Sequence, residues 1–167
     1  ASMRMGDVYL ALNQYKTAEK QYRHALKLKP NSAQLYDKIG DVYYYTLKLK
    51  KAIRYYSEAL KLDPVDIYYY RNRANAYFYN GEIDKALSDF KVVFDTFPNY
   101  AYAAKRIAEC YYEKEDYKNA VLYFDKSLQF DSTNVDALTR AGLAYLNIDN
   151  NVQSISLLNK AVFIDST

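Results

Sequence analysis

The sequence predicts an all-α fold of five 34-residue helix-turn-helix repeats, and three observations predict it. The three prolines, Pro30, Pro64 and Pro98, stand 34 residues apart, and Tyr9, Tyr43, Tyr77, Tyr111 and Tyr145 keep that interval unbroken. Within each interval, apolar residues recur three and four apart in both halves, the spacing that gives a helix one apolar side. Gly6, Gly40 and Gly142 share one register with Ala74 and Ala108, so a small residue recurs where a neighbouring helix can approach closely. A fixed period along a whole chain is the signature of stacked repeats.

The repeats fit without insertion as 1–32, 33–66, 67–100, 101–134 and 135–167. Together they form one array, expected to be part of a longer protein. The first is truncated. In the second, "AQLYDKIGDVYYYTLKLKKAIRYYSEALKLDP", both halves carry the helical spacing, and Pro64 after "LKLD" stops the second helix where a missing N–H does least harm. The third holds "YNGE", in which Gly81 supplies the turn between helices. In the fourth, Cys110 stands where other repeats carry Val8, Val42, Ala76 and Ala144, which predicts a buried packing thiol. The fifth departs from the pattern: Ser154 replaces the recurrent alanine and Ser166 the proline. It reads as a degenerate terminal repeat or as one severed from further repeats.

Composition narrows the function. Half of the residues are apolar and 26% charged, which excludes a disordered chain. No apolar run approaches the roughly 20 residues that span a bilayer. The start "ASMRMGDVYL" has no signal-peptide layout. A net charge of +3 with interspersed signs argues against a general nucleic-acid binder. The single cysteine leaves the compartment open, with the cytoplasm favoured. His24 has no second His or Cys nearby, no nucleophile–base pair is apparent, and all four glycines have repeat duties. An enzyme, a metal and a cofactor are therefore not expected.

On Tyr36, Ile39, Gly40, Tyr43, Ala52, Tyr56, Ala59, Pro64 and their counterparts, the chain resembles the tetratricopeptide repeat family. The resemblance implies a right-handed α-α superhelix, a solenoid of antiparallel helix pairs. The first helix of each pair would line a concave groove used to bind protein partners.

With Ala33, Ile67, Ala101 and Val135 as place one, a rotation of about 100° per residue puts places four, eight and eleven on one side. Places two, six, nine and thirteen fall nearly opposite, beside five and twelve. Tyr70, Ala74 and Tyr77 should then pack. Tyr68, Arg71, Asn72, Asn75, Phe78, Tyr79, Tyr102, Lys105, Arg106, Tyr112 and Arg140 should face the groove. Six tyrosines lie outside the family's usual aromatic places: Tyr45, Tyr68, Tyr69, Tyr79, Tyr100 and Tyr102. Groove charge reads as acidic near Asp7, Asp37 and Asp41, with Lys38 against them. It reads as basic further on, with Glu109, Glu113 and Asp136 opposed. Arginine holds carboxylates bidentately, so an acidic segment or a free C-terminal carboxylate is the expected guest. Those same acids interrupt the basic track that single-stranded nucleic acid would need.

Some family members grip the C-terminal tails of heat-shock chaperones with a carboxylate clamp. Read from the third repeat, Arg71 and Asn75 approximate its first pair and Arg140 its last arginine. Arg106, however, replaces an asparagine and Asp136 a lysine. Read from the second repeat, Asn72 and Arg106 match while Asp37 and Asp41 reverse the leading charges. No register completes the clamp. A further reading is self-association through the ends, where Leu157, Leu158, Ala161 and Val162 would expose part of a stacking surface.

Overall fold

The computed structural model describes residues 2–166. Among them, helices alternate with short turns and no strand occurs: α1 (Ser2–Ala11), α2 (Tyr15–Leu28), α3 (Ala33–Tyr45), α4 (Leu49–Leu62), α5 (Ile67–Tyr79), α6 (Ile83–Thr96), α7 (Ala101–Glu113), α8 (Tyr117–Phe130), α9 (Val135–Leu146) and α10 (Asn151–Asp165). Each predicted repeat is a helix pair, odd-numbered helix first. The chain divides into two compact units at the Glu82–Ile83 junction, inside the third repeat. We call them unit 1 (α1–α5) and unit 2 (α6–α10).

The turn inside each pair is the same device five times. Asn13, Leu47, Gly81, Glu115 and Asp149 all have φ between 57° and 79°. The next residue's N–H then reaches back to the carbonyl of the recurrent tyrosine: Gln14 to Tyr9 and Lys48 to Tyr43 at 2.8 Å, Glu82 to Tyr77 and Asp116 to Tyr111 at 2.9 Å, Asn150 to Tyr145 at 3.0 Å. This closure satisfies carbonyls that the ending helix leaves bare. Gly81 announces it in the sequence, Asn13 and Asp149 are types that tolerate a left-handed backbone, and Leu47 and Glu115 accept it at some cost.

Packing within a pair couples three places. A Cβ added at Gly6 or Gly40 would lie 2.4 Å or 2.6 Å from the ring of Tyr22 or Tyr56. Those rings press against the first helix because their hydroxyls donate to Asp7 at 2.8 Å and to Asp41 at 3.0 Å. In the fourth repeat the second-helix residue is Phe124, with no hydroxyl, and the small residue is Ala108; in the fifth, a Cβ added at Gly142 would lie 2.7 Å from Leu158. Gly-Asp with Tyr, Ala-Glu with Phe and Gly-Leu with Leu thus fill one joint in different ways.

The buried side of the first helices is wider than the predicted stripe. Leu35, Ile39 and Val42 are buried along with Gly40 and Tyr43. The reason is that α3 packs on both α4 and the preceding α2, and α7 likewise on α8 and α6. Tyr69, one of the six unassigned tyrosines, is buried beside Ala59 and Leu60 for the same reason.

A polar clasp joins successive repeats. Tyr43 donates to Glu19 at 2.6 Å and accepts from Arg23 at 3.0 Å. Lys91 hydrogen-bonds Tyr111, and Tyr145 donates to Asp125 at 2.5 Å. In α10, Leu157 and Ala161 are buried against α9 while Val162 is exposed.

Candidate functional site

Each unit presents its own first-helix face. On unit 1 this face belongs to α1, α3 and α5, and it holds two adjoining cavities of about 500 and 510 Å³ that share Lys38 and Tyr45. Asp7 and Tyr15 line the first; Asp37, Asp41, Asp66, Tyr68 and Arg71 line the second.

Tyr68 is 57% exposed. It stands in the first turn of α5, whose start is fixed when the Tyr68 N–H donates to the Asp66 side chain at 2.8 Å. The Arg71 guanidinium lies 5.0 Å from the Tyr68 ring centroid and donates to Asn72 Oδ1 at 3.2 Å. Asn72 in turn donates to Asp37 at 2.8 Å, so it braces α3 against α5 as well as lining the cavity. Asn75 and Phe78 are half-buried. Tyr79 is exposed and meets the Tyr44 ring edge-on at 6.0 Å, and Tyr44 meets Tyr45 at 5.7 Å. Tyr45 stacks on Tyr15 at 6.3 Å. Tyrosines thus run along this face from α2 to α5.

Burial sets the electrostatics. Asp37 is 6% exposed. Burial, reinforced by the charge of Asp41, pushes its carboxyl up to about 7, although the Asn72 hydrogen bond opposes this. Burial also raises Asp41, against Lys38 and the Tyr56 hydroxyl.

Unit 2 arranges its charges differently. Lys105 Nζ lies 2.7 Å from Asp136 and 3.9 Å from Glu109, and Arg140 Nε lies 2.9 Å from Asp136 and 3.5 Å from Glu109. Arg106 pairs with Glu109 and stacks 5.3 Å from the Phe90 ring centroid. It is 6% exposed. The sequence places Arg106 on the groove; the structure buries it, because its long stem follows apolar surface and its charge meets an acid three residues on. Burial would raise the Asp136 carboxyl, but hydrogen bonds from Lys105 and Arg140 outweigh it and hold Asp136 below the usual range. Tyr102 and Tyr112 are half-buried, beside Tyr100 and Tyr117 at 5.7 and 5.2 Å. Cys110 is buried, and burial pushes its thiol up to about 12, so no thiolate forms near neutrality.

The residues predicted for one groove therefore fall into two settings. In unit 1, Tyr68, Arg71 and Asn72 line the second cavity while Asn75, Phe78 and Tyr79 line neither, and the linings add Asp66, Tyr15 and Gln34, which sequence reasoning passed over. Asp66 could have been found, since an aspartate just before an apolar-periodic run marks a helix start. In unit 2, Lys105, Arg106 and Arg140 are joined in an ion-pair network with Glu109 and Asp136, while Tyr102 and Tyr112 pair with other rings. Among the described residues, no helix is long and apolar enough to cross a membrane.

Comparison with known proteins fits this architecture. TPR-repeat profiles match residues 6–46, 33–64 and 71–135. No curated protein matches the chain. Among solved structures, MamA from Desulfovibrio magneticus RS-1 is 13% identical with a TM-score of 0.94, over 99% of this chain and 93% of MamA. YrrB, described as a TPR protein with an unusual peptide-binding site, is 20% identical with a TM-score of 0.84, over 98% of this chain and 84% of YrrB. Pseudomonas aeruginosa pilF is 16% identical with a TM-score of 0.86, over 96% of this chain and 73% of pilF. At such identities the likeness is one of fold, that of a helical-repeat solenoid. With the 34-residue period, the joints it repeats and the profiles that match along it, the chain belongs to the tetratricopeptide repeat family.

Proposed function

We propose that the chain is a non-catalytic scaffold that holds an extended segment of a partner protein on its first-helix faces. The observation that carries this reading is the double cavity of unit 1, where half-exposed polar groups and exposed tyrosines line open space on helices whose opposite sides are packed. Tyrosine suits such a face, since it offers a large apolar body with a polar tip and few torsions to freeze. The peptide-binding site ascribed to YrrB supports this use of the fold. An acidic guest has weaker support than the sequence alone gives it. Lys105, Arg106 and Arg140 already share Glu109 and Asp136, so a ligand carboxylate there must displace one of them.

Selection of random displayed peptides against the chain tests the proposal. Bound peptides should lose at least roughly tenfold in affinity for a Tyr45→Ala/Tyr68→Ala variant, which removes two exposed aromatic anchors. They should keep their affinity for Lys50→Ala/Lys118→Ala, altered only on exposed second-helix positions. Equal loss in both variants, or no peptide retained, would overturn the reading.

A further inference from the structure

The double cavity of unit 1 has a charge imbalance that points to its guest. Its walls carry Asp7, Asp37, Asp41 and Asp66 against only Lys38 and Arg71. Each aspartate is held from behind through the same oxygen. Tyr22 reaches Asp7 Oδ1 at 2.8 Å, Asn72 reaches Asp37 Oδ1 at 2.8 Å, Tyr56 reaches Asp41 Oδ1 at 3.0 Å, and the Tyr68 N–H reaches Asp66 Oδ1 at 2.8 Å. Lys38 lies 3.5 Å from Asp41 Oδ2, longer than a strong ion-pair hydrogen bond. The four carboxyl groups are thus oriented by donors on their protein side, and three of those four donors are neutral side chains that add no positive charge, although Asp37, raised to about 7, bears only part of its charge at neutral pH.

The aromatic walls supply an independent observation. The chain's own Arg71 rests 5.0 Å from the centroid of Tyr68, at the edge of the acid-lined cavity. That contact is a guanidinium held by a tyrosine face within reach of carboxylate charge. Tyr45 offers the same combination at the partition between the cavities: it is 57% exposed, with Asp7 lining one side and Asp37 and Asp41 the other. A cation over such a ring gains from the ring quadrupole and from the carboxylates together.

We infer that the double cavity of unit 1 receives a basic segment of the partner, lysine or arginine side chains seating on either side of Tyr45. This deepens the scaffold reading and rests on it. The choice of a basic over an acidic guest follows from complementarity: like charge set against these walls is excluded, and opposite charge is steered in.

Three peptide pools of equal length and random sequence test the inference, one enriched in Lys and Arg, one in Asp and Glu, one in neither. Binding is measured on the unmodified chain at low and high salt, and on Asp7→Asn/Asp37→Asn/Asp66→Asn. Asparagine keeps an acceptor oxygen for each donor and removes the charge. The basic pool should bind at least roughly tenfold more tightly than the neutral pool at low salt, with the margin shrinking as salt rises. The variant should lose that margin while its circular dichroism is unchanged. Preference for the acidic pool, no preference, or a margin that survives in the variant would overturn the inference while leaving a peptide scaffold standing. Binding of no pool at all would remove both readings. The pool comparison on the unmodified chain decides the matter even where the variant folds poorly.

Discussion

Burying a carboxylate sacrifices solvation that one amide donor restores only in part, and Asp37 shows the result in a carboxyl raised to about 7. Its protonated form suits the fold, so that contribution to stability is complete below the ordinary value near 3.8 and fades as pH rises through about 7. Asp37→Asn should therefore stabilise the chain at pH 8 by about 1–3 kcal/mol and change little at pH 4, as urea titrations at both pH values would show. Arg106 makes the opposite point. On an open face Arg106→Glu would leave folding alone. Buried against Glu109, it sets two acids together and should cost several kcal/mol, on the scale of breaking a buried pair, measured as a lower unfolding midpoint. Helical phase alone put Arg106 with Arg140. What separates them is the stem of a long side chain finding apolar surface, which residue order along one helix does not display.

At the scale of the helix pair, the joint between small residue, acid and ring shows in the sequence where repeats differ together, although the fifth repeat sets Gly142 against Leu158 with neither acid nor ring. Gly40, Asp41 and Tyr56 stand where the fourth repeat has Ala108, Glu109 and Phe124. Gly40→Ala should cost about 1–3 kcal/mol, because the new methyl meets a ring pinned by its hydroxyl. Tyr56→Phe frees the ring to move but takes a donor from Asp41, for about 1 kcal/mol. The double variant should lose less than the sum, and chemical denaturation of all four species measures that coupling. The helix pairs and their register were legible because the 3.6-residue period and the 34-residue period reinforce each other. The turn was read from the sequence at Gly81, and Asn13 and Asp149 are compatible with it, whereas Leu47 and Glu115 adopt the same backbone under the demand of the joint rather than by their own preference.

For the whole molecule, stacked repeats make stability close to a sum of local terms between neighbours. Phe124 is fully buried in unit 2, so Phe124→Ala should cost about 3–5 kcal/mol. Amide exchange should quicken first in α7, α8 and α9, the helices that share its core, and least in α1–α3. Exchange rising equally everywhere would mean one cooperative block. The number of repeats was legible in the sequence. The junction at Glu82–Ile83 was not, because it depends on how densely successive helices touch and not on the period itself. The clasp between repeats has a bearing on how such a chain can change. At one recurring tyrosine the neighbour is arginine with glutamate, at another lysine, at another aspartate. A phenol both gives and takes a proton bridge, so it welcomes any of them. A unit copied or transposed along the array would find a willing partner at that seam, whatever polar group it carried there.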